Sequence, residues 1–237
     1  MPSSKPFTVY TMPQGSAEWK AARAGVFTAS RAGEAFATTQ KGAFTAKRKD
    51  LRTELVLARF TGKPKEDGYQ SKAMLDGMKR EASALRAYEN IHGVIVRTCG
   101  FVKDNDVPIG CSPDGVLGDF EGLVQAKCPL QATHLATLVA LRRIHDMEIT
   151  DAMRVDGRLH LGAIDPDYLH QIRHELYVTG ASWCDYFSYH ADFPEPLRAV
   201  TIRVTREDAD LATYAWMVQT FLDEVEAESQ ELARMLE

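Results

Sequence analysis

The stretch Cys111-Ser112-Pro113-Asp114-Gly115, followed by Gly122-Leu123-Val124-Gln125-Ala126-Lys127-Cys128-Pro129, decides the reading of this chain. Apolar residues flank a Pro-Asp-Gly turn, so the two pieces read as arms of a hairpin. On a strand, residues i and i+2 leave the same face, so Gln125 and Lys127 point together. Asp114 stands at the end of the other arm. A carboxylate beside a second oxygen donor suits Mg²⁺, which prefers hard oxygen ligands. An ammonium next to it can orient or deprotonate water and stabilise charge on a phosphate. This is the arrangement of a hydrolytic phosphodiesterase. The plain alternative is a common β-turn with Lys127 exposed on its strand; the full spacing argues against it, and so does Glu81.

Glu81 falls within a predicted helix, Ser71–Ile91, stopped by His92-Gly93. Met74, Met78, Leu85 and Tyr88 form an apolar stripe along it, and Glu81 fills the gap. A carboxylate in such a stripe is expensive to bury unless it is paired or binds a metal. Glu81 is therefore either a metal ligand or, with the stripe at the edge of the core, a residue that reaches water or pairs with Arg86.

Before this helix, Ser16 caps a short helix through Trp19 and Arg23 that Gly25 ends, and Thr28-Ala29-Ser30 opens another toward Phe36. A basic helix spans Thr45–Phe60, closed by Thr61-Gly62-Lys63-Pro64. After it, Val94-Ile95-Val96, Phe101-Val102, Ile109–Cys111, Gly115–Leu117 and Leu123–Lys127 read as an antiparallel meander. Asp165-Pro166 starts a helix to Thr179. Strands Trp183–Tyr189 and Leu197–Val204 follow, and Thr205 is expected to cap an acidic C-terminal helix. The stretch Ala140–Gly162 fits neither period. The expected fold is α/β (α+β), a central mixed sheet flanked by helices in one domain over residues 1–237.

Composition is consistent with this. With 237 residues, 45% hydrophobic and 26% charged, the chain is neither collagenous nor disordered. No apolar run is long enough to span a bilayer, and the N-terminus does not read as a signal peptide. The four cysteines lack a CxxC pair, which disfavours structural zinc and suits reduced cytosolic thiols. A net charge of −5 argues against coating nucleic acid by charge alone, though not against one basic channel.

From about Trp19 to Thr179 the chain resembles the lambda-exonuclease or YqaJ-like phage recombination nucleases, within the PD-(D/E)xK superfamily. The landmarks are Trp19–Ser30, Gly77-Met78-Lys79-Arg80-Glu81, Cys111–Gly115, Ala126–Pro129 and Tyr168-Leu169-His170-Gln171. The resemblance implies a restriction-endonuclease-like core and a two-metal site for Mg²⁺, with Mn²⁺ as substitute. It makes Asp114 the bridging aspartate, Lys127 the catalytic lysine, Glu81 the helix glutamate and the Ala126 carbonyl a further ligand. Arg23 and Ser30, with Trp19 and Thr28 beside them, match the residues that hold a 5′-phosphate, and Gln171 matches an active-site glutamine. It further implies 5′→3′ digestion of duplex DNA ends to 5′-mononucleotides and a 3′ single strand. A toroidal homotrimer, a single-strand-annealing recombination protein as partner, and a phage-encoded protein in the bacterial host cytoplasm are also implied.

The chain departs from the family at Gln125, where the family has glutamate. A neutral amide is a weaker metal ligand, so the resemblance implies an impaired enzyme that still folds and binds DNA. Either a deliberate change to trap DNA or a natural inactive variant accounts for it, and retention of the other positions favours the former.

Three rivals are weighed. His170 and His174 share a helix face but lack the glutamate and third ligand of a zinc peptidase. A non-catalytic DNA-end-binding module follows if Gln125 abolishes cutting. A sequence-specific endonuclease would share the core. Lys47-Arg48-Lys49 with Arg52, and Arg142-Arg143, are candidate DNA contacts, although basic helix faces are more often merely solvated.

Overall fold

The computed structural model describes residues 6–63, 72–146 and 159–235. In chain order the elements are β1 (Phe7–Tyr10), α1 (Ala17–Ala22), β2 (Phe27–Thr28), α2 (Ala32–Phe36), α3 (Ala46–Thr61) and α4 (Lys72–His92). Then come β3 (Phe101–Asp104), β4 (Ile109–Cys111), β5 (Gly115–Leu117), β6 (Gly122–Lys127) and α5 (Gln131–His145). The chain closes with α6 (Pro166–Thr179), β7 (Trp183–Tyr189), β8 (Ala199–Thr205) and α7 (Leu211–Arg234).

The mixed α/β class is as expected, but the strands form two four-stranded mixed sheets in place of one central sheet. One has the order β1-β3-β4-β2, the other β5-β6-β7-β8. The expected meander is cut between Cys111 and Gly115. β3 and β4 pair antiparallel in the first sheet, and β5 and β6 pair antiparallel in the second. Two pairings are parallel, β2 with β4 and β6 with β7. The division follows from partners distant in sequence: β1 and β2 take up the edges of β3 and β4, while β7 takes the free edge of β6.

Several boundaries follow local chemistry. The Ser16 hydroxyl accepts from the Trp19 N–H and starts α1, and Asp165 accepts from Asp167 N ahead of Pro166. Gly62 ends α3 at φ +66°, a left-handed conformation that glycine adopts without steric cost. Others differ from expectation. Val94-Ile95-Val96 is not a strand, and Ile95 is 83% exposed. The C-terminal helix is capped by Asp210 in place of Thr205, whose backbone N–H and hydroxyl bond the Asp208 carboxylate instead. The sequence reading missed β1, β2 and α5. Met74, Met78 and Pro64 lie outside the described side chains, as does most of the unclear stretch.

β6 is central, with helices on both faces. Leu123 joins Ile172 and Leu176 of α6 in one core, while Val124 and Ala126 join Ala84 and Tyr88 of α4 in another. Burying each such aliphatic side chain contributes about 1.5–3 kcal/mol. The strand that carries the candidate chemistry is therefore clamped on both sides.

Candidate active site

Asp114 lies at the seam between the two sheets, in the short link Ser112–Asp114 that leaves β4 and enters β5. Gly115 follows because a Cβ there would strike the Val96 side chain. Asp114 Oδ2 accepts hydrogen bonds from the Gln125 side-chain amide and, at 2.9 Å, from the Ala126 N–H. Gln125 is fully buried and Lys127 is half-buried at the open end of β6. Both point to the α6 face, where Gln171 Nε2 donates to Gln125 Oε1 at 2.8 Å. Lys127 Nζ lies 3.5 Å from Gln171 Oε1 and 5.0 Å from the centre of the Tyr168 ring.

Glu81 reaches the same place from α4. It lines, with Asp114, a cleft of about 460 Å³ walled by Arg97, Cys99, Gly100 and the loop at Thr11–Gln14. Burial pushes the Asp114 carboxyl up to about 7, opposed by Lys127 and aided by Glu81. Burial also raises Glu81, against the pull of Lys127. Desolvation is the main cause for both, with the neighbouring Glu81 a smaller one for Asp114, and carboxyls shifted in this way are frequent at functional sites.

The structure adds Glu175, which the sequence reading missed. It is fully buried one helical turn beyond Gln171, whose Nε2 donates to its Oε1 at 3.1 Å. Burial, with Asp114 nearby, drives this carboxyl up to about 8. The i, i+4 spacing lets Gln171 and Glu175 meet on one helix face, but spacing alone does not mark that face as buried.

A second cluster forms around Arg23. Its guanidinium lies 4.0 Å from the centre of the Trp19 ring, and Nη2 donates to Thr28 Oγ1 at 3.2 Å and Ser30 Oγ at 3.1 Å. Among the described residues no carboxylate forms an ion pair with it. Burial, with Arg31 nearby, lowers its pKa to about 10. An arginine held by hydroxyls and an aromatic face, with no carboxylate beside it among the described residues, has the chemistry to accept an anion. Trp19 Nε1 donates to Gly100 O at 3.2 Å and Ser112 Oγ at 3.1 Å, which ties this cradle to the Asp114 link. Ser112 too escaped the sequence reading.

The structure thus gathers Asp114, Gln125, Ala126, Lys127, Glu81 and Gln171 in one place, and Trp19, Arg23, Thr28 and Ser30 beside it. It does not leave Arg48 and Arg52 free for DNA. Arg48 is buried against Glu224 at 2.8 Å and Ala35 O at 2.6 Å, and Arg52 pairs with Glu228 at 2.5 Å. Lys47, Lys49, Arg142 and Arg143 are exposed. His174 is buried with Nδ1 at 3.0 Å from the Tyr214 hydroxyl, and burial lowers it to about 3 and His170 to about 4. Among the described residues no group of three His, Cys, Asp or Glu is placed to hold a metal ion. No described helix is long and apolar enough to cross a membrane.

The structure brings together a seam carboxylate, a lysine on β6 and, beside them, an arginine held by two hydroxyls, and residues 18–182 match the YqaJ-like viral recombinase domain. The chain belongs to that family. It is similar to an alkaline exonuclease, LHK-Exo, from Laribacter hongkongensis, with 31% identity over 93% of this chain and 98% of that one, at a TM-score of 0.71. The same protein in complex with dAMP gives a TM-score of 0.73. A phage-related exonuclease from Haemophilus somnus 129PT shares the fold at 12% identity and a TM-score of 0.57, covering 89% of this chain and 96% of that one. Among curated proteins no relative matches the chain.

Proposed function

We propose that this protein is a DNA exonuclease that engages duplex ends by their 5′-phosphate and digests 5′→3′ with Mg²⁺. The observation that carries this reading is the Arg23 cradle, without a carboxylate partner among the described residues, joined through Trp19 and Ser112 to the Asp114 link. The name of the similar Laribacter protein, an alkaline exonuclease, supports it.

Asp114 and Glu81 fit a divalent cation: both are oxygen donors that line one cleft, and burial raises both carboxyls, a cost that a bound cation would offset. Gln125 fits less well, since its amide nitrogen faces Asp114 and its oxygen is taken by Gln171. When bound, Mg²⁺ would stabilise charge on the attacked phosphate. Arg23, Thr28 and Ser30 would hold the terminal phosphate and so fix the polarity of digestion. Lys127, steadied by the Gln171 carbonyl, would orient the attacking water. Gln125 supplies no charge, so the chain as it stands is a weak nuclease or a non-catalytic binder of DNA ends. The family resemblance adds a ring of three copies and a single-strand-annealing partner to the proposal.

The test is Gln125→Glu with Mg²⁺ on linear 5′-phosphorylated duplex and on closed circles. The expected outcome is loss of the linear DNA, sparing of the circles and release of 5′-mononucleotides. Linear duplex that stays intact sinks the nuclease reading; cut circles point to an endonuclease. In the same background, Arg23→Ala is expected to reduce activity on phosphorylated ends more than on hydroxyl ends. Equal loss on both would remove the anchor role.

A further inference from the structure

Among the described residues, Glu175 is a buried carboxyl for which packing offers no reason. It is fully buried, its Oε2 has no hydrogen-bond partner, and Oε1 receives one bond, from Gln171. An apolar side chain would suit this position better for stability alone. The direction of the surrounding hydrogen bonds supplies a reason. Gln171 uses one N–H on Glu175 and its other on Gln125 Oε1, which leaves its carbonyl to face Lys127. Gln125 in turn must face its own N–H₂ to Asp114. An amide is a two-ended group, and turning it over would set the Gln171 N–H₂ against the Lys127 ammonium. With its proton on the unpartnered Oε2, or with none, the Glu175 carboxyl offers Oε1 as an acceptor, and that acceptor favours the orientation in which Gln171 turns its N–H toward it.

We infer that Glu175 is a positioning residue: it fixes the polarity of the Gln171 amide, so that a carbonyl meets Lys127 and an N–H meets whatever acceptor occupies position 125. The consequence for catalysis rests on the nuclease reading above; the hydrogen-bond relay does not.

The experiment compares Glu175→Gln, which keeps an acceptor, with Glu175→Leu, which removes it. In the chain as it stands, NMR hydrogen exchange reads protection of the Gln171 side-chain amide, assigned by its disappearance in Gln171→Met. Glu175→Leu is expected to abolish that protection and Glu175→Gln to retain it. In the Gln125→Glu background, Glu175→Leu is expected to lower kcat by about tenfold to a hundredfold with KM for duplex unchanged, the usual size of effect for a residue acting through another. Glu175→Gln should recover most of kcat. Equal losses in both variants would mean that charge, and not acceptor polarity, matters at 175, and would overturn the inference, as would no loss in either. If Glu175→Leu does not fold, Glu175→Met, which is closer in shape and also lacks the acceptor, is expected to abolish protection of the Gln171 amide; protection retained in it overturns the inference. An inactive Gln125→Glu chain with the protection pattern intact would sink the nuclease reading while supporting the relay.

Discussion

Glu175 and Asp114 carry a cost that depends on pH. Burial raises their carboxyls to about 8 and about 7, from about 4 in an unfolded chain. The folded state therefore binds protons that the unfolded state has released. Stability from these groups is complete below about pH 4 and is lost as pH rises through 7 to 8, at up to about 1.4 kcal/mol per pH unit for each group. Thermal unfolding followed at pH 5, 6, 7 and 8 should show a falling Tm. Glu175→Gln, which cannot ionise, should remove much of the slope and raise Tm at pH 8. A slope unaltered by that substitution would show that Glu175 does not titrate in this range. At this scale the sequence was informative where partners are close along the chain. Asp114, Gln125 and Lys127 share one hairpin, and strand periodicity alone sets the last two on one face. Glu175 was not legible because a mid-helix glutamate looks solvated until α6 is laid on β6.

Helices α3 and α7 show how a charge pattern can mislead. Arg48 and Arg52 are spaced i, i+4 on α3 and meet Glu224 and Glu228, also i, i+4, on α7. Read from α3 alone, the arginines suit a phosphate path; read with the acidic face of α7, they form an interhelical ladder. Arg48 is the buried member, and its guanidinium also lies 4.0 Å from the centre of the Phe44 ring and 4.8 Å from that of Phe221. Arg48→Ala should therefore cost about 2–4 kcal/mol in denaturant unfolding, because it strips bonds from a buried group and leaves Glu224 without its nearest cation. The same substitution should leave the salt dependence of DNA binding unchanged. A shallower slope of affinity against salt would show that Arg48 touches phosphate after all. The missed α5 has a related cause. Leu130, Leu135 and Val139 are exposed while His134 is buried, bonded to Ser188 Oγ and Leu197 O at 2.8 Å each, so its apolar residues do not mark its inner face.

For the molecule as a whole, the fold class was legible and the topology only in part. Alternation and turns located most strands, but nothing in the run from Phe101 to Lys127 shows that it must divide between two sheets. That division depends on Phe7–Tyr10 and Trp183–Tyr189, from opposite ends of the chain. The proposed ring is also a property of this scale. Light scattering in solution is expected to give three times the 26.4 kDa chain mass. A monomer at micromolar concentration would remove topological trapping as a source of processivity.

The parallel pairing of β6 with β7 also bears on how the protein is made. Gln125 sits beside Tyr186, and Lys127 beside Ser188, in a register that no earlier segment supplies. A ribosome that has released Glu81, Asp114, Gln125 and Lys127 still holds the strand that completes their sheet, and α6 with Gln171 and Glu175 emerges only shortly before it. Parallel, long-range pairing of this kind forms late. A nascent or truncated chain ending before Trp183 thus carries each catalytic candidate in its sequence without the framework to align them, so the candidate site would stay unassembled until β7 has been made.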